Sequence, residues 1–71
     1  MEQKPEHIMQ FFSYSHLPER MQAASKQFHD LAQRIVETTP RNPERTVALR
    51  KLLESKDAAV RALIAKETKQ P

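Results

Sequence analysis

Two apolar stripes of like spacing, separated by a proline-rich breaker, restrict this chain to very few folds. The first runs Leu17, Met21, Ala24, Phe28, Leu31 and Ile35, and the second Leu49, Leu53, Lys56, Val60 and Leu63, with Thr38-Thr39-Pro40-Arg41-Asn42-Pro43 between them. Steps of three and four residues keep side chains on one face of a helix. Each stripe leaves water only by packing on the other, so the pattern predicts an antiparallel helical hairpin. Lys56 occupies a seam position where a hydrophobe is expected.

The chain has no glycine, so its turns must be built from proline, asparagine, serine and threonine, and nothing flexible interrupts the helices. An almost all-α chain follows. A short first helix is predicted over residues 5–12, with Ile8, Phe11 and Phe12 at i, i+3 and i+4, then a bend at Ser13-Tyr14-Ser15-His16. Pro18 suits the first turn of a second helix and Glu19 its positive end, giving a helix over residues 18–37 that is about 30 Å long. Asn42-Pro43-Glu44 combines a capping side chain, a proline fitted to the first helical position and an acid opposing the dipole. The third helix is predicted over residues 43–66, with Lys66 and Lys69 near its carbonyl-rich end. Residues 1–71 read as one helical domain.

A chain of 71 residues buries too little surface to offset its ordering entropy with ease. There is no cysteine for disulfides and no Cys/His spacing for structural zinc, which makes self-association the expected supplement. A homo-oligomer is predicted. The hydrophobic fraction of 38% argues against disorder. No apolar run approaches the roughly 20 residues of a membrane span, and Met1-Glu2-Gln3-Lys4-Pro5-Glu6 is too polar for a secretory signal. A soluble, intracellular protein without membrane partners is expected.

The formal charge of +3 and pI near 9.6 lean weakly toward anionic partners. Asp30 with Arg34, and Asp57 with Arg61, have the favourable acid-first spacing of four residues, worth about 0.2–0.5 kcal/mol per pair on a helix. Lys26, Arg45, Lys51 and Lys56 lack it.

Catalysis needs a nucleophile, a tuned acid and base or a metal in a water-excluding pocket. His7, His16 and His29 are scattered, and no carboxylates cluster, so neither an enzyme, a metal site nor a cofactor is expected. Binding is the better class of function. Lys56 either snorkels to water or faces an anion from an oligomer axis. Phe11, Phe12 and Tyr14 cannot all be buried along one helical line, which leaves an aromatic ring free for stacking. A stacked nucleobase is worth about 1–3 kcal/mol, and Lys26, off the seam, can neutralise its phosphate. The plain alternatives are a hydrophobic staple for Phe11 or Phe12 and a solvated charge for Lys26. Arg45 and Thr46 lie in the first turn of the third helix, where the dipole attracts phosphate.

The segments Tyr14-Ser15-His16-Leu17-Pro18, Ser25-Lys26-Gln27-Phe28-His29-Asp30-Leu31-Ala32 and Glu44-Arg45-Thr46-Val47-Ala48-Leu49-Arg50-Lys51-Leu52-Leu53-Glu54-Ser55-Lys56-Asp57-Ala58-Ala59-Val60-Arg61 resemble the phage anti-CBASS cyclic-oligonucleotide sponge family, which shares its hairpin with a larger anti-Thoeris sponge. The resemblance covers about residues 11–64. It implies a compact helical homohexamer in the cytoplasm of the infected bacterial host. Such a protein binds cyclic dinucleotides such as cyclic GMP-AMP, and cyclic trinucleotides, without cleaving them, so that the host effector stays silent. By resemblance, Tyr14 or else Phe11 stacks on the bases, and Lys26 holds the phosphates of a dinucleotide shared by two subunits. Arg45 and Thr46, with Lys56 as a further candidate, are carried onto a separate trinucleotide site.

Two other readings stay open. One is a structural or adaptor bundle. The other is a DNA-binding phage regulator, which the basic pI permits but the long arms of the hairpin do not favour; no DNA partner is expected.

Overall fold

The computed structural model describes residues 6–65. A 3₁₀ helix over His7–Phe12 is followed by two α-helices, α1 over Glu19–Thr38 and α2 over Pro43–Ile64. The two long helices pack on each other as the hairpin that the stripes predict, and the 3₁₀ helix lies against both. No described residue forms a strand. Lys66 and Lys69, and the Pro5 start of the predicted first helix, lie outside the described residues.

The glycine-free turns are closed by side chains. Gln22 Nε2 donates to the carbonyls of Leu17 at 2.8 Å and Ser15 at 3.3 Å, tying α1 to the bend before it. At the far end Thr38 Oγ1 donates to the Arg34 carbonyl and Thr39 Oγ1 to that of Ile35, both at 2.6 Å. Thr39 then leaves the helix in an extended conformation, so no left-handed residue is required there. Asn42 caps α2 as its sequence implies, its Oδ1 accepting the Arg45 N–H at 2.9 Å with Pro43 in the first turn.

Ile8, Phe12, Ala32 and Leu49 form the core, with Met9, Phe28, Ile35, Val36, Leu52 and Leu53 packed around it. Full burial of Phe12 contributes about 1.5–3 kcal/mol. Three details depart from the apolar stripes. The first concerns α1, which buries Ser25 and Ala32, seven residues apart, while Leu31 is 47% exposed. Small side chains sit at the centre because α1 faces α2 and the 3₁₀ helix at once, and a close three-way approach has no room for leucine. At the other end of the hairpin, Leu63 is likewise exposed.

The third departure is in the N-terminal segment. Ile8 and Phe12 are buried but Phe11 is not. With three residues per turn, a 3₁₀ helix stacks Met9 beneath Phe12, and that row, beside Ile8, enters the core.

Candidate functional site

Tyr14 and Lys26 come to one place. Tyr14 leaves the bend after the 3₁₀ helix and meets the edge of the His29 ring, with centroids 5.2 Å apart and planes at 63°. Lys26, His29 and Asp30 share a face of α1 because they stand at i, i+3 and i+4. His29 Nδ1 lies 3.3 Å from Asp30 Oδ1, and Lys26 Nζ donates to Asp30 Oδ2 at 2.7 Å. An aromatic ring, an imidazole, a carboxylate and an ammonium thus form one connected surface chain.

Its electrostatics follow from that geometry. The hydrogen bond to Asp30, then the charge of Asp30, hold the Lys26 ammonium above the usual lysine range, with a smaller contribution from Tyr14. Asp30 is held below the usual carboxylate range, first by the hydrogen bond from Lys26 and next by that from His29. Both side chains are about half exposed, so solvent screens the pair.

This arrangement corrects one expectation, because Asp30 pairs with Lys26, in the lysine-first order, and not with Arg34. The preference for acid-first spacing is only a few tenths of a kcal/mol. The neighbouring His29 also approaches the Asp30 carboxylate, at 3.3 Å through Nδ1, and a preference so small is readily reversed by such a local contact. His29 and Asp30 join the site although the sequence reading does not include them, and the spacing Lys26-x-x-His29-Asp30, which places them beside Lys26 on any helix, is the signal that finds them.

The other candidates lie elsewhere. Phe11 is 49% exposed, with its ring edge-on to His7 at 5.6 Å. Lys56 is buried and its ammonium donates to the Phe11 carbonyl, so within one subunit it does not run out to water. Arg45 is also buried. Its Nη2 donates to Glu6 Oε1, and its Nη1 to the carbonyls of Val36 at 3.0 Å and Thr39 at 2.5 Å.

Thr46 is exposed and hydrogen-bonds back to the Asn42 carbonyl at 3.4 Å. It lines an open cavity of about 210 Å³ with Glu6, His7, Ile8, Arg41 and Arg50. Glu6 and Arg45 stand 39 residues apart, and nothing in the sequence announced their pairing.

Among the described residues, no group of three or more His, Cys, Asp or Glu is placed to hold a metal ion. No described helix is long and apolar enough to cross a membrane. The chain matches no known family model, no curated protein and no solved structure.

What remains is the chemistry of the surface chain itself. A ring that offers a face or edge to a planar base, next to a cation within a turn of helix, suits a ligand carrying both a nucleobase and a phosphate.

Proposed function

We propose that this protein captures cyclic oligonucleotide signals and holds them intact, as a phage-encoded sponge that keeps a bacterial CBASS effector from being activated. The observation that carries the proposal is the connection of Tyr14 to Lys26 through His29 and Asp30. The resemblance to the sponge family assigns the phosphates to Lys26 and the bases to Tyr14 or else Phe11, and of the two aromatics Tyr14 is the one linked to Lys26.

A cyclic dinucleotide has approximate twofold symmetry and two phosphates. Two copies of the chain, meeting on an isologous interface, offer each half of the ligand the same Tyr14 and the same Lys26. We therefore propose a homo-oligomer, a hexamer by resemblance, in the cytoplasm of the infected host. The exposed apolar side chains Leu31, Val47, Leu63 and Ile64 are consistent with burial against further copies. Binding without cleavage asks for affinity alone and for no transition-state machinery.

For cyclic trinucleotides the proposed site is at the other end of the hairpin. Thr46 and Arg50 face the open cavity, and Arg45, committed to Glu6 and two carbonyls, supports it from behind.

The test is a thermal-shift panel of cyclic di- and trinucleotides, followed by proteolysis of the complex and chromatography of the released ligand. Saturation at 100 times Kd adds about 2.7 kcal/mol per independent site. A shift with intact ligand recovered supports the sponge. Tyr14→Ala and Lys26→Ala should each weaken dinucleotide capture while leaving the assembly unchanged. No shift with any member of the panel refutes it.

A structural or adaptor bundle is the second reading, favoured by the partner Lys26 already has in Asp30. In that case the same two substitutions alter assembly or stability and no nucleotide affinity exists to lose.

A further inference from the structure

We infer that Asp30 is an internal competitor for the anion bound at Lys26, released onto His29 when ligand arrives, so that this carboxylate sets how tightly the site holds phosphate. The inference rests on reading Tyr14 and Lys26 as the ligand site.

The geometry supplies each part. Asp30 Oδ2 occupies the Lys26 ammonium at 2.7 Å, in the place a phosphate oxygen would take. Its other oxygen, Oδ1, is 3.3 Å from His29 Nδ1, so with the proton on Nδ1 the carboxylate keeps an acceptor contact when Oδ2 leaves the lysine. The His29 ring is in turn braced by Tyr14 at 5.2 Å, the aromatic that would stack on the base.

A phosphate that stays beside Asp30 pays like-charge repulsion, and one that displaces it must break an existing ion pair. Either route weakens binding of every anion at Lys26. Only a ligand with a second anchor, such as a base on Tyr14, holds well. An exposed ion pair of this kind sets the size of the effect at about a two- to fivefold change in affinity. Asp30 is exposed and is a positioning residue that acts through Lys26.

The experiment compares four proteins by calorimetric titration with cyclic GMP-AMP and, separately, with inorganic phosphate: wild type, Asp30→Asn, Asp30→Glu and Glu54→Gln. Glu54 is exposed on α2 and lies 3.8 Å from Lys51, so its substitution changes net charge by the same amount away from the site. Circular dichroism verifies that all four are folded.

The expected result is that Asp30→Asn binds cyclic GMP-AMP about two- to fivefold more tightly than wild type. Asp30→Glu should stay near wild type, because it retains the competing charge. Glu54→Gln should gain less than Asp30→Asn, which separates local competition from general charge. A wild type that binds while Asp30→Asn is unchanged, weaker or no tighter than Glu54→Gln overturns this inference alone. Absence of cyclic GMP-AMP binding in all four overturns the dinucleotide reading as well.

Discussion

The Arg45 guanidinium closes on the Glu6 carboxylate across 39 positions of sequence, and both side chains are more than nine-tenths buried. One turn of chain chemistry thus fastens the start of the 3₁₀ helix to the start of α2. Lys56 fastens its other end through the Phe11 carbonyl. Buried Ile8 and Phe12 lie between these two attachments.

Arg45→Ala removes the Glu6 contact and the hydrogen bonds to Val36 and Thr39, and leaves the Glu6 carboxylate buried without its cation. The expected cost is about 3–5 kcal/mol, a large part of the stability of so small a domain. Urea denaturation followed by circular dichroism measures it. Adding Glu6→Gln should recover part of the loss, since the uncompensated charge is then gone. Any effect of Arg45→Ala on trinucleotide binding must accordingly be read beside its unfolding curve.

Phe12→Ala should cost about 3–5 kcal/mol, because it empties the centre of the core. Phe11→Ala, one residue away but half exposed, should stay within about 0.5 kcal/mol of wild type. Equal destabilisation of the two in a thermal melt would show that the 3₁₀ helix is rotated from the orientation described.

Ser25 Oγ is buried with no hydrogen-bond partner. Ser25→Ala removes an unsatisfied polar atom and improves helix propensity, for an expected gain of about 0.5–1 kcal/mol. A lower melting temperature would mean that the hydroxyl has a bonding role.

The Lys26 and Asp30 pair contributes stability with a defined pH window. Asp30 has its pKa depressed, so its contribution is present above the ordinary value of 3.8 and is lost as pH falls through the lower folded value. Lys26 has its pKa raised, so its contribution is present below 10.5 and is lost as pH rises through the higher folded value. Asp30→Asn should flatten the acid limb of the melting temperature measured between pH 5 and pH 2. The change is small, because both groups are exposed.

The hairpin was legible because both of its arms carry helical periodicity and its turn carries Asn42-Pro43, signals that act over a few residues. The exact seam was not. Periodicity ranks side chains by hydrophobicity, whereas the three-way junction selects Ser25 and Ala32 for their size.

The pairing of Tyr14 with Lys26 was suggested by residue chemistry and by resemblance but not by spacing, since their meeting depends on how the bend at Ser15 and His16 returns the chain to α1. The ties from Glu6 to Arg45 and from Phe11 to Lys56 had no local signal whatever, because they link residues 39 and 45 positions apart. A polar partner at such range is chosen by the folded surface and leaves no mark on spacing.

The two attachments of the 3₁₀ helix also impose an order on synthesis. The 3₁₀ helix is made before both of its attachments, so while α2 is still on the ribosome it can dock on α1 alone. Tyr14, which follows directly on that segment, meets His29 of α1, so that contact draws on no residue of α2. A nascent or truncated chain that ends before Lys56 therefore carries the aromatic but lacks the second anchor for the segment that presents it.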